Sequence, residues 1–291
     1  NGKKFHKNAI KFYKKIENKY STKIIFEHQI LKFFSSFSDQ NNWIVASQKP
    51  KLKEFIDSEI QTKNIKGLIT EFGYGLVKKC GRVSTPNLIN EFKKNLKENY
   101  IKQDFDFKNL SFDNNKIVYD SIIAQNIVFC EGYSIINNPF FKNLPVIGSK
   151  GEFLIVQIPN LNLNKIIKRS SIFIMPMENQ FYWVGATYDN SDKKNRPTQL
   201  KKQWLIDRLE SIIKEPYKIV EHKASIRPTT IDRRPITGSH PNYKNIYLLN
   251  GLGSRGILLA PTISSWLYNH IYESSDIPKE VDIKRFKDNN I

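Results

Sequence analysis

The chain has 291 residues, of which 40% are hydrophobic and 12% aromatic, enough apolar surface for one large core or two smaller ones. Its apolar runs are short and interrupted, far from the roughly 18 residues of a membrane-spanning helix, so a soluble protein without a membrane span is expected. The formal charge is +18, from 46 Lys and Arg against 28 Asp and Glu. It would suit a polyanionic partner, but frequent Lys, Asn and Ile and lysines spread along the chain assign most of it to compositional bias.

The opening Asn1-Gly-Lys-Lys-Phe-His has neither an initiator methionine nor a signal peptide, and reads as a start inside a longer gene product. Residues 4–20 place Phe5, Ala9, Phe12, Tyr13 and Ile16 on one helical stripe, and β-rich stretches follow at 23–37 and 43–46. Ser84-Thr-Pro-Asn puts a capping residue before a proline at the first helical position, and Leu88, Ile89, Phe92 and Leu96 carry that helix to about Asn99. The apolar runs 117–118 and 122–130 read as a buried strand entering a glycine turn at Gly132. Cys80 and Cys130, the only cysteines, lack the spacing of a disulfide framework or zinc site. A reducing, cytoplasmic setting and no metal are expected.

Three strand-like runs at 153–158, 172–177 and 181–188 predict an antiparallel sheet. Leu200, Trp204, Leu205, Leu209, Ile212 and Ile213 define an amphipathic helix, and 217–226 reads as a strand leading to Arg227-Pro228. A strand at 245–249, a glycine loop and a helix over about 257–272 close the pattern. This mixture predicts an α/β fold of two domains built from discontinuous segments: 1–20, 78–147 and 226–291 in one, 21–77 and 148–225 in the other.

The loop Gly251-Leu-Gly-Ser-Arg-Gly256 spells a dinucleotide fingerprint, but the second parallel strand and acidic residue that the fingerprint requires have no room behind it. Two other readings are a ligand-free turn and a set of backbone amides at a helix start, suited to a ligand that gathers negative charge, such as the edge of a reduced flavin. His6, His28, His222, His240 and His270 are scattered and form no catalytic set.

Two long motifs narrow the choice: Ser225-Ile-Arg-Pro-Thr-Thr-Ile-Asp-Arg-Arg-Pro-Ile-Thr-Gly, then Asn245-Ile-Tyr-Leu-Leu-Asn-Gly-Leu-Gly-Ser-Arg-Gly-Ile-Leu-Leu-Ala-Pro. In order and spacing they resemble the carboxy-terminal signature of the D-amino-acid oxidase and glycine oxidase superfamily. Gly81-Arg-Val-Ser-Thr-Pro, Ile127-Val-Phe-Cys-Glu-Gly, Pro145 with Lys150-Gly-Glu, and Val184-Gly-Ala-Thr extend the resemblance upstream.

The resemblance implies FAD as cofactor, a Rossmann-like FAD-binding domain incomplete at its amino end, and an antiparallel β-sheet domain for substrate. The family's pyrophosphate loop is expected upstream of Asn1. It also implies that Arg227 receives the substrate carboxylate, a task for a planar fork making two parallel hydrogen bonds. Gly251, Leu252, Gly253, Ser254, Arg255, Gly256 and Ile257 would cover the flavin ring edge, with Gly132 at the end of the flavin-domain strand. Ser254 stands where glycine oxidases carry an arginine near the substrate, with Arg255 one place later. Phe173 stands where a substrate-facing tyrosine is common, and Leu252 replaces the usual histidine.

The activity so implied is oxidation of a C–N bond of an amino acid or secondary amine by hydride transfer to flavin, for which no acid–base residue is demanded. Gly253-Ser-Arg-Gly, Asp232-Arg-Arg-Pro and Gly185-Ala-Thr-Tyr-Asp lean toward the family's tRNA-modifying members, similar to the FAD domain of MnmC, and so toward tRNA as a partner. A non-catalytic flavoprotein remnant is the third reading.

Overall fold

A computed structural model of the chain describes residues 2–114 and 116–289. The helical rhythm at the amino end forms α1 (Gly2–Tyr20), which buries Ala9, Tyr13 and Ile16. Then come β1 (Ile25–Phe33), α2 (Phe37–Ser47), β2 (Tyr74–Val83) and α3 (Thr85–Leu96). Short strands β3 (Leu110–Asp113), β4 (Lys116–Tyr119), β5 (Ile122–Ala124) and β6 (Ile127–Phe129) lead to a 3-10 turn over Gly132–Asn137. Strands β7 (Ser149–Gln157), β8 (Ile166–Arg169), β9 (Ile172–Pro176) and β10 (Phe181–Gly185) precede α4 (Gln199–Glu210). Finally β11 (Lys218–Arg227), β12 (Ile236–Ser239) and β13 (Ile246–Asn250) are followed by α5 (Gly256–Glu273). The architecture is mixed α/β.

The chain divides into two compact units. The first gathers Asn1–Ile24, Thr85–Ser149 and Ile226–Ile291, the second Ile25–Ser84 and Lys150–Ser225. In the second, seven strands form one sheet in the order β11-β7-β10-β9-β8-β1-β2, parallel only at β1–β8 among the pairs with a described register. Beyond Ser149–Glu152, where all four residues are buried, alternate residues of β7, β9 and β10 are buried, as the period of two predicts. They pack with Leu205 and Leu209 of α4 into one core, and α4 starts at Thr198, whose hydroxyl accepts from the Lys201 amide.

In the first unit a three-stranded sheet runs β12-β13-β6, with β13 parallel to β6 and antiparallel to β12, beside the meander β3-β4-β5. Phe129, Phe141, Ile236 and Leu248 anchor one core cluster, and Tyr247, Leu259, Ile263 and Leu267 anchor another under α5. Among the described residues no helix is long and apolar enough to cross a membrane.

The structure departs from sequence expectation in two places. Residues 43–46, expected as strand, lie in α2. Ser36 caps that helix by accepting from the Asp39 amide at 3.2 Å, and the buried Trp43 donates its indole N–H to the Asp57 carbonyl at 2.8 Å. The run 122–130, expected as one buried strand, breaks into β5 and β6 in different sheets, and Ile123 is exposed.

Candidate functional site

Because β6 and β13 run parallel, their carboxyl ends open at the same sheet edge, the place where open α/β sheets hold ligands. Each strand ends near a glycine in the left-handed region, Gly132 at φ +60° and Gly251 at φ +70°, a conformation glycine adopts without steric cost. Asn250, 2% exposed, ties the two loops together. Its Nδ2 donates to the Gly132 carbonyl at 2.9 Å, and its Oδ1 accepts from the Gly251 amide at 2.8 Å. A Cβ on Gly251 would stand 2.9 Å from Thr230 Cγ2, whereas one on Gly132 would meet nothing within 4 Å. One loop is packed shut behind; the other opens onto space.

The segment after Arg227 builds the adjoining wall. The Gly253 amide donates to the Pro228 carbonyl at 2.9 Å, the Ile147 amide to Thr229 at 2.8 Å, and the Ile231 amide to Pro145 at 3.1 Å. Fully buried Thr230 donates its hydroxyl to the Arg234 carbonyl at 2.6 Å. Two motifs distant in sequence thus become one surface, and Pro145 joins them. Asp232 is held by Arg285, with Nε to Oδ2 at 2.9 Å and Nη2 to Oδ1 at 3.2 Å. Burial pushes the Asp232 carboxyl up, but Arg285, Thr230 and the Arg234 amide outweigh it and hold the group below the ordinary carboxylate range.

From Gly251 the chain makes a short 3-10 turn and enters α5, whose amino end no side chain caps. Its first amides therefore keep their donor capacity and partial positive charge. Helix α1 braces this end: the Tyr13 hydroxyl donates to the Ile257 carbonyl at 2.9 Å, and Asn8 donates to Thr262 at 3.2 Å. Burial pushes the Tyr13 phenol up to about 12, so it remains a neutral donor. Ser254 and Arg255 are exposed, Arg255 donating to the Arg233 carbonyl at 3.3 Å, while Gly251 is buried.

Backbone amides, an uncapped helix start and an open glycine backbone suit the electron-rich edge of a flavin, so these residues fit FAD. Arg227, Gly132 and residues 251–257 share the first unit, with Arg227 half-buried at the end of β11. Phe173 belongs to the second unit, on β9, where Lys168 Nζ stands 4.6 Å from its ring centroid. Asn250 carries no sequence signal beyond preceding a glycine.

The second unit holds a buried ionic cluster. Lys150 and Glu152 are each 1% exposed. Lys150 Nζ reaches Asp192 at 2.6 Å and Glu152 at 3.1 Å, and Glu152 also accepts from the Thr198 amide at 2.8 Å and hydroxyl at 3.0 Å. Burial lowers the Lys150 ammonium, but Asp192 and Glu152 reverse this and raise it. His222 Nε2 lies 2.9 Å from Glu152 without hydrogen-bond alignment, and burial outweighs the pull of that carboxylate and lowers the imidazole.

The sequence pattern of FAD dependent oxidoreductases matches residues 2–269. The chain is 23% identical over 262 residues to the tRNA 5-methylaminomethyl-2-thiouridine biosynthesis bifunctional protein MnmC of Legionella pneumophila (strain Corby), covering 80% of this chain and 39% of that protein. It is 32% identical over 151 residues to glycine oxidase of Bacillus subtilis (strain 168), covering 47% and 38% of the two chains. The fold superposes on glycine oxidase from Bacillus cereus ATCC 14579 with a TM-score of 0.77 at 18% identity, covering 94% of this chain and 80% of that one. The chain spans 39% of the length of the Legionella MnmC proteins it matches and 25% and 26% of those of Idiomarina loihiensis and Marinobacter nauticus. With the two signature motifs joined into one wall and the pattern matched nearly end to end, the chain belongs to the FAD-dependent oxidoreductase family.

Proposed function

We propose that the protein oxidises the C–N bond of an amino acid or secondary amine, with the first unit as its FAD-binding domain, the second as its substrate-binding domain, and the cytoplasm as its setting. The observation that carries this reading is the single wall made by the Arg227–Arg234 segment, the Gly251 loop and the uncapped start of α5. Bound FAD supplies the hydride acceptor. With the Gly251, Gly253 and Arg255 amides already donating to Asn250, Pro228 and Leu252, the start of α5 within residues 251–257 offers amides to the electron-rich ring edge, Asn250 fixes the spacing between Gly251 and Gly132, and Arg227 receives the substrate carboxylate through its two-pronged guanidinium. Phe173, Ser254 and Arg255 are assigned to the substrate side by their positions in the family motif. The full-length protein is expected to be yellow and to release flavin on denaturation; a colourless protein that releases none would leave only the remnant reading.

The second reading is removal of a carboxymethyl group from a wobble-uridine side chain of tRNA by the same C–N oxidation. The +18 charge and the 80% coverage by MnmC favour it. Peroxide formation with glycine, sarcosine and D-proline, assayed beside glyoxylate release from carboxymethylaminomethyl-modified tRNA, separates the two. Activity that requires tRNA and disappears at high salt would eliminate the small-molecule substrate.

A further inference from the structure

Residues 1–24 hold eight lysines and one acid, a net +7 out of the chain's +18. The charge is therefore concentrated at α1 far beyond the share its length predicts. At about 100° per residue, Lys4, Lys7, Lys11, Lys15 and Lys19 fall within one arc of about 120°, and all five are exposed. Ala9, Tyr13 and Ile16 occupy the opposite side and are buried.

The pairs Lys7–Lys11, Lys11–Lys15 and Lys15–Lys19 set like charges four residues apart, each destabilising for an isolated helix. A solvated helix face ordinarily mixes signs to relieve this repulsion. Here no acid stands within the arc. Glu17 lies outside it and accepts from the Ile24 amide at 2.8 Å, with Lys23 at 3.6 Å. Glu91 of neighbouring α3 is paired with Lys94 at 3.1 Å.

We propose that this lysine row is a docking surface for the sugar-phosphate backbone of a double-helical nucleic acid. Four residues of helix rise about 6 Å, so the row presents evenly stepped ammonium groups along nearly the whole of α1, a match for a regular rail of phosphates. Lysine is the appropriate residue because backbone contacts position a duplex without reading its sequence. A single strand would need aromatic rings between the charges for its bases to stack on. The arc contains none; Phe5 is turned to Trp266 and Tyr13 to Ile257. An anionic membrane would need several apolar side chains beside the lysines to enter the lipid, but the apolar face of α1 packs on α5 and Ile10 alone of its apolar side chains is exposed. The surface is read from α1 alone, so it holds whichever C–N substrate is oxidised.

The test is equilibrium binding of the intact protein to an RNA hairpin with a stem of about 16 base pairs, by fluorescence anisotropy between about 50 and 200 mM salt. The Lys7→Gln, Lys11→Gln, Lys15→Gln, Lys19→Gln variant is compared with one carrying Lys51→Gln, Lys53→Gln, Lys63→Gln and Lys66→Gln, which has the same net charge and leaves α1 intact. The α1 variant is expected to bind at least about 100-fold more weakly at about 50 mM salt, with a slope of log K against log salt shallower by about 3. A fourfold Lys→Arg variant at the α1 positions is expected to restore both. The wild-type protein is expected to prefer the hairpin over an unpaired oligonucleotide of equal length and over phosphatidylserine vesicles. Equal losses in both glutamine variants, an unchanged slope, or a preference for the single strand or the vesicles would each overturn the proposal. Circular dichroism and flavin content, unchanged by these surface substitutions, exclude misfolding as the cause of a loss.

Discussion

At the position of Arg227, charge and shape must act together. Replacing it with alanine removes a two-pronged partner for a carboxylate and is expected to lower kcat/KM for carboxylate-bearing amines by roughly 100-fold or more, on the scale of about 2–5 kcal/mol for a lost charged pair. Flavin content and the visible spectrum should be retained, because Arg227 acts on substrate in this reading. Asn250 should behave in the opposite way. Asn250→Ala strands the Gly251 amide and the Gly132 carbonyl, so we expect about 2–4 kcal/mol less stability in urea melts together with lower flavin occupancy at purification. Arg227 is singled out in the sequence by its place in a long motif with fixed neighbours, and its role stays the proposal made above. Asn250 was not, since its importance comes from a loop 118 residues away in the chain, and no local pattern encodes that meeting.

Among the elements, β9, β10, α4 and α5 follow directly from their hydrophobic periods. Residues 43–46 misled because Trp-Ile-Val is β-prone in isolation, while the Ser36 cap and the burial of Trp43 decide for helix. Strand β2 gave little signal: Gly75 and Gly81 interrupt it, and Gly75 lies where any Cβ would strike the Trp43 ring at 2.2 Å. The cluster on β7 makes two predictions. Glu152→Gln leaves Lys150 short of a buried partner, so a loss of about 3–5 kcal/mol is expected by chemical denaturation. His222 sets a pH dependence. Its imidazole is lowered in the fold, so below the unfolded value of about 6.5 the unfolded chain binds more protons than the folded one, and stability falls as pH drops through that point toward the folded value. Thermal melts between about pH 7 and pH 5 should show this fall, and His222→Gln should make it shallower, the remainder coming from His240, whose imidazole burial also lowers; a fall of equal depth in both proteins would refute the assignment.

For the molecule as a whole, alternating helical and antiparallel segments announced an α/β protein, and the two carboxy-terminal motifs announced the family. The compact units divide at 149/150 and 225/226, inside β7 and β11, beside Gly148, Gly151 and Pro228 and within two residues of the limits expected from sequence, whereas the divisions at 24/25 and 84/85 lie four and seven residues from those expected at 20/21 and 77/78. The concentration of charge on α1 was masked, because lysines are frequent everywhere and only the helical projection reveals that these share one face. Cofactor binding is a molecular property too. If the folded form alone binds FAD, the cofactor at about 100 times its Kd should stabilise the full-length protein by about 2.7 kcal/mol, visible as a rise in Tm that scales with the logarithm of FAD concentration. No rise in protein stripped of flavin would count against the FAD site.

The Asn250–Gly251 tie also has a chemical lifetime. Asparagine is a thermolabile side chain, and glycine, with no Cβ, leaves its own nitrogen least hindered as the attacker of the preceding side-chain amide. Loss of that amide would turn the Nδ2 donor facing the Gly132 carbonyl into a negatively charged acceptor, so two oxygens would repel where a hydrogen bond had been. Burial and the fixed geometry of the loop protect the bond while the fold is intact, which makes thermal ageing a slow clock set by local opening. Aged protein should lose flavin in step with the appearance of aspartate and isoaspartate at position 250, and freshly made Asn250→Asp protein should show the same loss at once.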